Sequence, residues 1–228
     1  MTPEAPSPLV DPVLAERGIE HGFGVRGSGA PEGCVFPRQV HGVAVARAAG
    51  ASSSPEEADA IVGAGPGEGV GIVTADCVPI LVASEDGAVV AAIHAGWRGF
   101  AAGVIQAGLA EVGRLAGGAP LVAAIGPAAR GCCYEVDAPV RDALAERHSA
   151  WLDSACRAGR PGHWQLDLPL LAERVLEQDE WICTQIGVEH RLCTICDENR
   201  FESYRRDGAA AGRLRHFISC SAAIPRPT

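Results

Sequence analysis

The amino-acid sequence predicts an α+β fold with mixed β-sheets. Three observations predict it. Short Val- and Ile-rich runs bounded by Gly, Pro, Asp and Ser fill the first half of the chain, and helix-spaced apolar segments lie among and after them. The two kinds of segment are interspersed without the regular strand–helix–strand rhythm of an all-parallel sheet.

Residues 1–17, opening MTPEAPSPLVDP, read as a loose Pro-containing lead-in, with neither the basic start nor the apolar stretch of a signal peptide. Gln39–Ala46 alternates, with His41, Val43 and Val45 on one face, and reads as a strand. Ala58–Val62, Val70–Thr74, Val78–Ser84 and Ala88–His94 are four more strands, and Leu121–Ile125 is another of the buried type. Phe100–Leu115 is spaced as a helix through Val104, Ile105, Leu109, Val112 and Leu115, closed by Gly117-Gly118. Pro139–His148 and Leu168–Gln178 are helices with a Pro near the start. Stretches 48–57 (AAGASSSPEE) and 157–162 (RAGRPG) read as loops inside one domain spanning residues 1–228.

Composition narrows the function. Of 228 residues 47% are hydrophobic and 21% charged, which excludes a disordered chain. With 19 Lys+Arg against 28 Asp+Glu the net charge is −9, so nucleic-acid and anionic-membrane partners are not expected. An anionic small molecule would have to meet a local arginine cluster. No apolar run reaches the ~18 residues of a membrane span. Nine cysteines in a chain without a secretion signal suit reduced thiols, so a cytoplasmic protein, monomer or homodimer, is expected.

The most informative segment is 70–99, VGIVTADCVPILVASEDGAVVAAIHAGWRG, two β-type runs around the turn residues Ser84-Glu85-Asp86-Gly87. A two-residue loop, Glu85-Asp86, would set Ser84 opposite Gly87 and therefore Cys77 opposite His94, Cβ atoms about 5 Å apart. A thiolate and an imidazole that close share a proton or grip one metal ion. His41 is the best third candidate, and Cys and His with one further ligand and an open position form a catalytic zinc shell. By spacing alone, Cys77 reads better as a buried small hydrophobe and the two histidines as satisfied strand-end residues.

The run TADCVPILV…HAGWRG resembles the signature of the YfiH-type family, known as multicopper polyphenol oxidoreductase (laccase) domain proteins and also described as purine nucleoside phosphorylases. The likeness extends to FPRQVHG (36–42), Ala58-Asp59-Ala60, IGPAARGCCYEV (125–136), QLDL (165–168), LCTICDENRFESYRRDG (192–208) and HGFGVR (21–26). It implies a layered α+β sandwich of mixed sheets with flanking helices, shared with the deamidating cytotoxic necrotizing factor toxins, whose Cys–His pair is hydrolytic. It also implies a mononuclear metal site of His41, Cys77 and His94, holding zinc, with copper also described. The implied activity is phosphorolysis of adenosine, inosine and methylthioadenosine, with deamination of adenosine; some bacterial members are described as peptidoglycan editing factors. The sequence departs from the family pattern at Gly24-Val25, between Pro127 and Cys132, at Phe201-Glu202-Ser203, and in a longer segment after Leu176 (EQDEWICTQIGV) with an additional Trp181 and Cys183, leaving the three metal ligands intact and the phosphate and base contacts open.

On this reading Cys77 and His94 are catalytic, and Asp76 either shuttles a proton or is a turn residue that orients its neighbours. Arg26, Arg98, and one or both of Arg205 and Arg206 are the candidates for phosphate, since planar guanidinium forks match it. A metal-free alternative makes Cys77 the nucleophile of an amidase with His94 as base. Copper-dependent phenol oxidation fits less well, because multicopper sites draw on many histidines and the one methionine is Met1. Trp97 and Tyr204 are candidates to stack on a purine. Cys193-Thr194-Ile195-Cys196 is a lone C-x-x-C, a weak signal without a second pair, of which the resemblance covers only Cys193-Thr194. Cys132 and Cys133, as neighbours on an extended chain, are expected to point to different faces.

Overall fold

The architecture is that of a computed structural model describing residues 5–48, 56–179, 181–188 and 190–222, with the side chains of 182–184 excluded. In chain order the elements are α1 (Pro12–Ala15), β1 (His21–Gly22), β2 (Val45–Arg47), β3 (Ala60–Gly63), β4 (Gly69–Thr74), β5 (Val78–Ser84), β6 (Val90–Ala95), α2 (Trp97–Ala102), α3 (Val104–Leu115) and β7 (Leu121–Ile125). There follow β8 (Glu135–Asp137), α4 (Ala138–Ala155), β9 (Cys156–Ala158), β10 (His163–Leu166), α5 (Leu168–Gln178), β11 (Ile182–Gly187), α6 (Tyr204–Asp207) and β12 (Leu214–Ser219).

A six-stranded sheet in the order β11-β7-β5-β6-β3-β2 forms the centre, parallel at both outer pairs and antiparallel between. The side-chain alternation of its strands sorts the core into two halves. Ile80, Val82, Ala91 and Ile93 face the helices, sharing one apolar cluster with Phe100 of α2, Ile105 and Leu109 of α3, Leu171 of α5 and, beyond these, Leu144 of α4. Leu81, Ala83, Val90 and Ala92 face the small sheet β1-β12-β4, meeting Val70, Ile72 and Ile218. A third sheet, β8-β10-β9, lies beside the helices. Helices, large mixed sheet and small sheet are thus stacked as the expected layered α+β sandwich.

β5, β7 and α5 have the expected bounds, and Asp167 caps α5 by accepting from Leu170 N at 3.0 Å. The expected helix 100–115 is two helices broken at Gly103, whose φ of +101° ends α2 and starts α3. α4 runs on to Ala155 through a kink at His148. Residues 1–17 were expected as a loose lead-in; within the described part, Leu9 pairs with Phe23, Asp11 caps α1, and Leu14 is wholly buried. Apolar burial therefore fastens this segment to the body. Of the expected loop 48–57, residues 49–55 lie outside the description.

The strand expected at 39–46 forms only as β2, and His41 lies in a bend with φ +60°. The cause is Asp59, whose carboxylate accepts the backbone N–H of Val40, His41 and Gly42 at 3.1, 2.9 and 2.6 Å and wraps the chain around itself.

Candidate active site

The β5–β6 hairpin closes with a four-residue loop instead of two. Gly87 N–H bonds to Ser84 O at 2.7 Å, Asp86 accepts from Ser84 Oγ and Ala88 N, and Gly87 takes the left-handed conformation (φ +67°). The register therefore pairs Pro79, not Cys77, with His94. The slip is two residues, an even number, so it preserves the face. Cys77 and His94 become diagonal neighbours, and their ligand atoms together with one from His41 all lie within 4.8 Å of one another.

Each member is held. His94 is 3% exposed, and its Nδ1–H donates to Oδ1 of the fully buried Asp59 at 2.8 Å, which leaves Nε2 for the cluster. A carboxylate behind a histidine fixes its tautomer and orientation. The same carboxylate positions His41 through its backbone, so one acid serves both histidines. Their rings meet edge to face at 4.9 Å. Gly96 makes the space, since a Cβ there would lie 2.8 Å from His41 Cδ2 and 3.1 Å from Cys77 Sγ. Among the described residues, the two non-glycine residues at positive φ are His41 and Asp76, both at this site. Such conformations cost of order 1–3 kcal/mol each and persist only where their surroundings enforce them.

The electrostatics follow from the packing. Burial opposes ionisation of Cys77, yet hydrogen bonds from His41 and His94 outweigh it and bring the thiol down to about 7. Burial likewise opposes the charge on His94, and its bonds to Asp59 and Cys77 raise it to about 9. Two imidazoles and an acidic thiol, with His41 and Cys77 on an open cleft, are a donor set that suits a zinc or copper ion.

That cleft, of about 380 Å³, is lined by His41, Asp76, Cys77, Trp97, Arg98, Tyr134, Leu168, Tyr204 and Arg205. Arg98 stacks on Trp97 at 4.3 Å and has no carboxylate partner among the described residues. Arg205 lies over Tyr134 at 5.0 Å and donates to Glu135 O. Two other candidates are elsewhere. Arg26 is tied to Glu202 and Phe201 O, and Arg206 spends its donors on Asp207 and the carbonyls of Thr194, Ile195 and Phe201. These contacts fasten the 194–207 segment, and neither arginine is among the residues that line the cleft. Asp76 does line the cleft, but Thr194 Oγ1 (2.6 Å), Ser203 Oγ (3.0 Å) and Arg205 N (2.7 Å) all donate to its carboxylate. A second hollow of about 410 Å³, lined by Glu20, Glu32, Cys34 and Glu68, is acidic and without histidine or arginine.

Asp59 and Tyr134 are functional candidates that sequence reasoning did not single out. An acid between two alanines at the head of an apolar strand was the available signal for the first.

A three-layer α+β body with a His–Cys–His cluster at the end of its central hairpin defines a class of protein built to hold a metal ion at a cleft. The chain belongs to the multi-copper polyphenol oxidoreductase laccase family, whose sequence model matches residues 24–221. A purine nucleoside phosphorylase of Xylella fastidiosa is 40% identical over 179 residues, 75% of this chain and 66% of that one. One from Pseudomonas aeruginosa is 39% identical over 180 residues, 79% of this chain and 71% of its own length. The crystal structure of a YfiH protein from Bacillus licheniformis shares the fold at a TM-score of 0.83 and 24% identity, covering 96% of this chain and 98% of that one.

Proposed function

We propose that the chain is a zinc-dependent purine nucleoside phosphorylase that also deaminates adenosine. The observation that carries this reading is the His41–Cys77–His94 cluster opening on a cleft whose rim offers arginines and aromatic faces together. The names of the similar proteins support the phosphorylase class. Bound by these three residues, the metal ion would supply Lewis-acid chemistry at the reacting centre.

The chain's own groups do the rest. Arg98 and Arg205 hold inorganic phosphate, countering locally the acidic net charge of the molecule. Trp97 and Tyr204 provide faces on which a purine stacks. Phosphate oxygen then attacks the ribose C1′ as the bond to the base breaks, and the base leaves with that electron pair. Asp59 keeps His94 Nε2 directed at the cluster. Asp76 acts by positioning, joining the Cys77 corner to Thr194, Ser203 and the Arg205 backbone. Tyr134, pushed up to about 12 first by burial, remains a neutral donor at the wall.

The test measures zinc and copper in one preparation and follows hypoxanthine from inosine and phosphate. Turnover should track zinc occupancy, be lost after chelation, return with zinc, and vanish in Cys77→Ala. Adenosine should give inosine in the same series.

One observation favours a second reading, a cysteine hydrolase. Cys77, His94 and Asp59 form a thiol–imidazole–carboxylate chain with the thiol near 7. It predicts activity on amides that survives chelation and is abolished by alkylation. His41, aimed into the same cluster, has no task in it.

A further inference from the structure

The chain carries a second concentration of metal-ligating groups outside the cleft. Cys132 and Cys133 lie in the loop between β7 and β8, Cys193 and Cys196 in the loop between β11 and α6. Their four sulfurs all lie within 4.8 Å of one another. Residues 131–133 form a turn instead of the extended chain expected, so both neighbouring thiols reach the same point. Cys196, which stands outside the family resemblance, is the hub, its sulfur 3.0 Å from that of Cys133 and 3.5 Å from that of Cys132.

We propose that Cys132, Cys133, Cys193 and Cys196 form a tetrathiolate zinc site that staples these two loops together. Four sulfurs at Zn–S distances of about 2.3 Å in a tetrahedron stand about 3.8 Å apart, which is the scale of the cluster, and a C-x-x-C supplying two ligands is the usual spacing of structural zinc. A redox pair explains the arrangement less well. All four cysteines are free, and Cys196 approaches two partners at once where a disulfide takes one. The amides of Arg130, Ile195 and Cys196 point at the Cys193 sulfur. Amide donors around a ligating sulfur are a common support of metal–thiolate centres. Four thiols in one place cannot ionise together without a cation. Binding zinc would expel their protons to solvent.

The site would act on the cleft without touching substrate. Its two loops already pair, Thr194 N–H donating to Ala128 O at 3.1 Å; the first carries Ala129 and Tyr134 of the cleft lining, and the second leads into α6, which carries Tyr204 and Arg205. Exposure of Cys132 and Cys196 gives the ion a path from solvent.

The experiment counts zinc by native mass spectrometry in protein purified under reducing conditions. Cys132→Ser/Cys196→Ser should hold one zinc fewer per chain than wild type, whereas Cys77→Ala should retain the ion of the four thiols. In wild type, alkylation followed by peptide mapping should find all four cysteines protected together and exposed together after chelation. This second arm decides the matter even if the double variant does not fold. An unchanged zinc count, iron in place of zinc, a disulfide to Cys196, or four thiols that react alike with and without chelator would overturn the proposal. Because the cleft ligands are untouched, failure here leaves the phosphorylase reading standing.

Discussion

At the scale of single residues the site turns on Asp59, which accepts four hydrogen bonds and thereby sets both histidines. Asp59→Asn keeps the shape and offers an amide where His94 Nδ1 needs an acceptor, so the imidazole is driven toward the wrong tautomer. Zinc affinity should fall about 10–100-fold, read by competition with a chromophoric chelator, with turnover falling alongside. The thiol–imidazole pair gives a second prediction, for chelator-stripped protein. Cys77 is depressed from 9.0 to about 7, so its stabilisation is full above pH 9 and is lost as pH falls through 7. His94 is raised from 6.5 to about 9, so its share is full below 6.5 and is lost as pH rises through 9. The Tm difference between stripped wild type and Cys77→Ala should therefore be small below pH 7, where the thiol is protonated, and grow as pH rises from about 7 toward 9; a difference that stays flat from pH 6 to 9 would refute the pairing.

At the scale of elements, the hairpin shows what sequence makes legible. Its strands and turn were readable because β-branched runs flank Ser-Glu-Asp-Gly. Its register was not, because loop length depends on how Ser84 and Asp86 bond within the turn. The cluster survived the error because a two-residue slip keeps both side chains on one face. His41 was identified while its strand was not, since a long-range acid 18 residues away bends that segment, and alternation carries no trace of such a contact. Arg26 and Arg206 show the same limit. Charge in a motif does not say whether a cleft or a carboxylate will claim it. At the start of α2, Gly96→Ala should press on His41 Cδ2 and weaken zinc binding while the far-ultraviolet circular dichroism is unchanged, a result that separates site geometry from folding.

At the scale of the whole molecule, stability rests on the two faces of the central sheet, which carry separate parts of the core. Leu81→Ala on one face and Ile93→Ala on the other each remove a fully buried side chain and should each cost about 2–5 kcal/mol in urea unfolding. Leu14→Ala should fall in the same range, because α1 belongs to the core; a change below about 0.5 kcal/mol, the level of a surface substitution, would return residues 5–17 to the status of a loose lead-in. Layering was legible from apolar strands and helix-spaced segments, but which strands neighbour which was not, since β11 and β2 join the sheet edges through long-range parallel pairing.

The shared carboxylate has a consequence for tracing descent. A lineage that loses one histidine keeps most of the scaffold around the other, and drift can pass unnoticed in a ligand count. A lineage that loses the acid forfeits the aim of both at once while every ligand still aligns. Position 59 is therefore the place to look when sorting working copies of this architecture from relics that merely keep its signature.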